Sequence, residues 1–264
     1  MRQLTRRTLL ATGAAFAAAP AIAGPASKLI GGPWKSFGSG GDPDYTAWAN
    51  FLDRYRTVGG NGVALVRYGQ AASDGARLTD QLEAMQAVDP TMLSRDAAMA
   101  YWLNLYNILT IDLVVDAFPV SSIKKVRGGI FNTGPWTEKL VTVAGQRLSL
   151  DDIEHGILRP VWKDPRIHYG VNCASIGCPD LDARPFVAGD LDVRLTAAAE
   201  SFTSHPRGAR QESSGAVVST IYEWFIEDFG GTEDGIISHV NKHRAQPVAG
   251  PVDDYEYDWS LNAA

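Results

Sequence analysis

Cysteine is almost missing from this chain: its 264 residues contain two, Cys173 and Cys178. Two thiols cannot make a disulfide framework, so stability has to come from packing. Positive charge is also short, with 24 lysines and arginines against 30 acids and a net charge of −6. An acidic chain does not suit a phosphate backbone, which sets nucleic acid aside as a partner. Beyond the first residues no stretch reads as long and apolar enough to span a bilayer. Nucleotide-binding patterns are missing too. "GGNG" at 59–62 lacks the lysine and context of a P-loop, and "DFG" at 228–230 stands without the other kinase motifs, so it reads as chance. No cofactor motif is present, so no cofactor is expected, and no internal repeat is evident.

What is there begins with Arg6-Arg7, an alanine-rich run from Thr8 to Ala19, and Ala21-Ile22-Ala23. This reads as a twin-arginine secretory signal over 1–23, cleaved after Ala23. Gly13 and Pro20 interrupt the run, which argues against a membrane anchor. The protein is therefore expected in the periplasm or secreted, with no stable membrane insertion after signal removal. Residues 24–41, rich in Gly, Ser and Pro, read as a flexible leader. Residues 42–264, with nearly half of the chain hydrophobic and seven tryptophans, read as one domain.

Within that domain Asp42-Pro43 suggests a helix start, with Tyr45, Trp48, Phe51, Leu52 and Tyr55 at helical spacing to about Arg56. A second helix is expected over Leu78 to Val88. Ser94 opens the strongest one, apolar nearly all round and stopped by Pro119, which belongs at the centre of the domain. Asn104 and Asn107 sit inside it, one turn apart. Buried amides need partners, so they either tie the helix to a loop or reach into an active site. "LVTVAGQRLSL" reads as a hairpin around Ala144-Gly145, and Ser149 with Asp152 resembles a capping box for a helix ending at Pro160. "RIHYGVN" alternates as a strand leading into the cysteines. Helices follow over Leu191 to Phe202, in "IYEWFIEDFG" and over Thr232 to His243, with a strand near Val217-Val218. "YEYDWSLN" reads as a closing strand that buries Trp259. Without a regular β-α-β beat the class is α+β, with helices packed on a small, mostly antiparallel sheet.

Chemistry concentrates in "HYGVNCASIGCPDL", residues 168–181. Cys173 precedes small residues whose backbone N–H groups, near Ala174, could face the sulfur and hold an oxyanion. Of the five histidines, His205 reads as solvated in a polar loop, and His239 with His243 as surface residues. His168, five residues before Cys173, would point away from it along an unbroken strand. That leaves His155 as general base, with Glu154, Asp152 or an asparagine such as Asn107 as orienting group. Glu154 is adjacent on the helix and would point about 100° away. The residues alone leave three readings open: a nucleophile, a Cys173–Cys178 disulfide, and zinc held by the cysteines with His155 and His168. A chain that folds before twin-arginine transport, in a reducing cytosol, should fold without the disulfide.

"YWLNLYNILTI", "LSLDDIEHGILRP", "RIHYGVNCASIGCPDL", "EWFIEDFG" and "YDWSLN", in this order, resemble the family catalogued as domain of unknown function 547. The resemblance covers Ala98 to Asn262. It implies a relation, by fold analogy, to papain-like cysteine hydrolases, with a rearranged order because His155 here precedes Cys173. The "IEH" histidine becomes His155 and the first cysteine of "NC" becomes Cys173. Some relatives carry serine where this chain has Cys178, which favours Cys173 as the chemical residue. The implied activity is a cysteine hydrolase or acyl transferase acting on amide or peptide bonds, with a peptide or small-molecule substrate. A non-catalytic periplasmic binding or assembly protein with a disulfide is the alternative, and zinc binding a third.

Overall fold

The computed structural model describes residues 24–127 and 133–264. The signal read over 1–23 lies outside the described residues.

Among the described residues no helix precedes Thr46. Asp42 does not start one: its carboxylate accepts the Ala188 N–H, and α1 spans Thr46–Tyr55, with Asp44 Oδ1 taking the Thr46 N–H. "GGNG" is the turn of a hairpin, β1 (Arg56–Val58) with β2 (Ala64–Val66), which the sequence reading passed over. Two short helices, α2 (Tyr68–Ser73) and α3 (Thr79–Gln86), bring the chain to α4 (Arg95–Ala117).

Ser94 caps α4 by accepting the Ala97 N–H, and every residue from Ala97 to Val115 is buried. The expectation that no later stretch could span a bilayer needs correcting, because this helix is long and apolar enough by length and composition. Its apolar window lies wholly inside the protein. The helix is a core axis because burying apolar surface on all sides needs neighbours all round. Those neighbours include Trp34, edge-on to Trp102 at 5.4 Å, and Met85, whose carbonyl accepts the Tyr101 hydroxyl.

Ala144 and Gly145 both take positive φ (47° and 77°), as a two-residue hairpin turn requires, and join β3 (Val141–Val143) to β4 (Gln146–Leu148). The capping box then forms: Ser149 N–H donates to Asp152 Oδ2 and Asp152 N–H to Ser149 Oγ. The helix does not end at Pro160. A π-helical segment, Asp152–Leu158, runs into α5 (Arg159–Trp162), with Pro160 inside it. Proline lacks the N–H that would bond back to this turn. The carbonyls of His155 and Gly156 instead accept the N–H groups of Lys28 and Ile30, both at 3.1 Å. The segment expected to be a flexible leader is thus laid along this helix. Gly156 permits the approach, since a Cβ there would meet Ile30 Cγ2 at 2.8 Å.

"RIHYG" is a second correction. It forms a short helix, α6 (Ile167–Gly170), not a strand, because four residues of alternation were too few to exclude a helical turn. Then come α7 (Leu191–Ser204), β5 (Ala209–Gln211), β6 (Ala216–Ser219), α8 (Thr220–Trp224), a 3-10 turn at Ile226–Phe229, α9 (Glu233–Lys242) and β7 (Val252–Glu256). The class is α+β. In place of one sheet, the described residues form two hairpins and a three-stranded sheet, in which β5–β6 is antiparallel and β6–β7 parallel. The closing strand therefore precedes Trp259, which stays half-buried. A smaller apolar cluster, with Phe202, Tyr222, Phe229 and Val240, packs under that sheet beside the one around α4. His239 and His243 belong to this side and are not surface residues: His243 is buried, and His239 Nε2 lies 2.9 Å from the Tyr169 hydroxyl.

Candidate functional site

Between these parts lies a cavity of about 380 Å³. Its walls carry Cys173, Cys178, His155, His168, Glu154 and Asp151, together with Trp136, Trp224, Phe225, Tyr257 and Trp259. Trp136, Trp224, Tyr257 and Trp259 brace one another, with Trp224 and Trp259 each within 5.5 Å of Tyr257.

The loop bearing Cys173 is held from both sides. Asn107 Nδ2 donates to the Gly170 carbonyl and its Oδ1 accepts the Asn172 N–H, while Asn172 Nδ2 donates to the Pro179 carbonyl. Asn104 clamps Phe186 in the same two-handed way. Asn107 is thus a positioning residue for the cysteine loop, and both amides tie α4 to loops. Replacing Asn107 by alanine strands a buried N–H and a buried carbonyl. It is expected to cost about 2–6 kcal/mol in denaturant unfolding, from about 1–3 kcal/mol for each of the two unsatisfied groups. A loss below 1 kcal/mol would mean that water replaces the clamp.

Ala174 has a left-handed φ of 59°, uncommon for a residue with a side chain and a mark of a constrained loop. The C-terminal tail secures it: Ile176 and Gly177 N–H groups donate to the Ser260 and Asp258 carbonyls. This geometry changes one expectation. The Ala174 N–H donates to Asn172 Oδ1 (2.9 Å) and the Cys173 N–H to Cys178 Sγ (3.0 Å), so neither amide is free for an oxyanion.

Cys173 Sγ lies 3.0 Å from Ser175 Oγ and 3.0 Å from Tyr257 Oη. Hydrogen bonding from the Cys178 thiol outweighs burial, and with Ser175 and Tyr257 it pulls the Cys173 thiol below its ordinary range. Burial pushes Cys178 well up. Both cysteines are free thiols, and no group of three His, Cys, Asp or Glu converges for a metal among the described residues. The ligand types of the zinc reading are therefore not assembled.

Neither histidine bonds the sulfur. His168, expected to face away, lines the same cavity, with Nε2 2.7 Å from Asp228 Oδ2 and Nδ1 3.5 Å from Glu154 Oε1. Burial would lower His168, but these two carboxylates outweigh it and raise it. His155 sits beside it under Phe225, its Nδ1 3.1 Å from Arg159 Nη1 and its Nε2 3.8 Å from Asp151 Oδ1. Burial, with the Arg159 charge, lowers it. Arg159 is only 3 % exposed, and it donates to Asp228 Oδ2 (2.5 Å), Glu227 Oε1 (2.7 Å) and the Pro25 carbonyl (2.6 Å). Burial works to raise Glu154, but His155, His168 and Arg159 hold it down to about 2. Burial and the charges of Glu154 and Asp152 lift Asp151 to about 6.

A pH dependence follows for Glu154. A depressed carboxyl stabilises the fold fully above its ordinary value of 4.5 and loses that contribution as pH falls through about 2. Between those limits wild-type stability is expected to fall more steeply than that of Glu154→Gln, read as denaturation midpoints against pH. Parallel curves would remove Glu154 as the source.

Asp151, Arg159, Asp228 and Tyr257 escaped the sequence reading. Arg159 and Tyr257 stood inside the quoted motifs, and Asp228 belongs to the "DFG" dismissed as chance, which indeed has no kinase context here.

The polar floor and cysteine loop fall largely within residues 90–203, the segment that matches the family described as "Protein of unknown function, DUF547". "EWFIEDFG" and "YDWSLN" lie beyond the matched segment. Comparison with curated proteins and with solved structures gave no match.

Proposed function

We propose that the chain is an exported cysteine-dependent hydrolase or acyl transferase acting on amide or peptide bonds, with Cys173 as nucleophile. The supporting observation is the placement of Cys173 Sγ on the wall of an aromatic cavity, beside two hydroxyls and the Cys178 thiol. Donors around a sulfur favour its thiolate, the reactive form. His155 faces the same cavity as the second polar group of the reaction. The likeness to papain-like hydrolases rests on these residue types. Export through the Arg6-Arg7 leader belongs to the proposal, and cleavage after Ala23 would start the mature chain at Gly24, on the cavity rim.

The test is iodoacetamide labelling of the native protein across pH, located by peptide mass spectrometry, followed by a screen of amide substrates with Cys173→Ala as control. Labelling at Cys173 with a depressed apparent pKa, and turnover lost in Cys173→Ala without unfolding, are expected. Turnover retained in that variant would sink the proposal. The occupied N–H groups of Cys173 and Ala174 favour a second reading, a binding protein with this cavity as its ligand site. It predicts ligand retention without turnover.

A further inference from the structure

We infer that His155 serves this cavity as a fixed N–H donor to the reacting carbonyl oxygen, and that Asp151 is the residue that takes and returns the proton. The inference rests on the cysteine reading and replaces the general-base role first expected of His155.

A guanidinium only donates hydrogen bonds, so the His155 Nδ1 that faces Arg159 Nη1 at 3.1 Å has to accept. The neutral ring then carries its proton on Nε2. Arg159 has no freedom to change this, because its other donors are engaged by Asp228, Glu227 and the Pro25 carbonyl. A ring in that state has no lone pair left to act as a base. It can only present Nε2–H, on the side of Asp151, whose Oδ1 at 3.8 Å is too far to consume it. The role of oxyanion donor is open, since the backbone N–H groups beside the sulfur are spent within their own loop. A neutral imidazole fills it as a hydrogen-bonding electrophile.

The proton carrier follows from what the other groups are doing. Glu154 is engaged by His168, and Asp228 by His168 and Arg159. His168 is locked between those two carboxylates. Asp151 lines the cavity and, among the described residues, accepts no hydrogen bond. The charged and titratable groups that act on it are Glu154, Asp152 and Lys139, with His155 at its side. Its carboxyl, lifted to about 6, is poised for proton transfer near neutral pH.

The steps balance. The Asp151 carboxylate takes the Cys173 proton through cavity water, the thiolate forms a C–S bond, and the carbonyl π pair moves onto oxygen, which accepts His155 Nε2–H. Collapse breaks the C–N bond as Asp151 returns the proton to the leaving nitrogen. Water, deprotonated by Asp151, then cleaves the thioester and restores the thiol.

The test needs no substrate. In histidine ring ¹⁵N spectra of the full folded protein, assigned with His155→Gln, the Nε2–H tautomer is expected at neutral pH. In aspartate carboxyl ¹³C titrations assigned with Asp151→Asn, Asp151 is expected to titrate near 6. A neutral Nδ1–H ring or an imidazolium at pH 7 would overturn the donor role, and an Asp151 titration at its ordinary value of 3.8 the carrier role. An unreactive Cys173 in the labelling experiment is a separate failure, of the cysteine reading alone.

Discussion

Replacing Arg159 by methionine is expected to cost about 3–5 kcal/mol of folding stability, the range for removing one partner of a buried ion pair. Four groups lose their donor at once: Asp228, Glu227, the Pro25 carbonyl and His155 Nδ1. Methionine fills much of the volume beside Phe225, so the loss comes from the hydrogen bonds and charge pairing removed, above all at Asp228, and not from a cavity. Lysine is expected to rescue only part of it, since a single ammonium cannot reproduce the fork that spans Asp228 and Glu227. Urea unfolding at neutral pH measures both variants. A loss below about 1 kcal/mol in Arg159→Met would show that water takes over the guanidinium's bonds, as at an exposed pair.

Removing the Tyr257 hydroxyl is expected to quench the chemistry of Cys173 while the fold survives. Tyr257 Oη lies 3.0 Å from the sulfur and 2.8 Å from Ser175 Oγ, so Tyr257→Phe takes a donor from the thiolate and a partner from the serine. A hydrogen bond to a charged group is worth about 1.5–3 kcal/mol, so its loss raises the thiol. Iodoacetamide labelling at neutral pH should slow by about tenfold or more, and the labelling curve should move to higher pH. The ring itself remains to pack against Trp224 and Trp259. An unchanged curve would mean that Ser175 and Cys178 hold the thiolate without help.

The elements legible in the sequence are those set by local chemistry. Ser94 as a cap, Ala144-Gly145 as a turn, the Ser149–Asp152 box and the spacing of α3, α4 and α7 each need only a few neighbouring residues to specify them. The errors came where the decisive partner is distant. Whether "IHYG" coils or extends is settled by what it packs on. His168 could not be assigned to the cavity without Asp228, sixty residues on. Cys173 stood out by rarity and by its small neighbours, and Ser175 lies two residues away. Tyr257 is 84 residues away, and nothing in "YEYDW" marks one tyrosine over another. The surroundings of His155 were hidden for the same reason. Arg159 is visible four residues on, but the bonds that immobilise it come from Pro25, Glu227 and Asp228.

The tail that crosses the cysteine loop sets the size of the portable unit. A graft limited to residues 90–203 would carry Cys173, His155, Glu154 and Arg159 into a new host. It would leave behind Tyr257, Glu227, Asp228 and the Pro25 carbonyl. The transplanted arginine would then have lost its acidic anchors and the sulfur one of its two hydroxyls. Swaps and minimised versions of this protein should therefore be bounded by the two arms that close over the cavity, one from each side of the family segment.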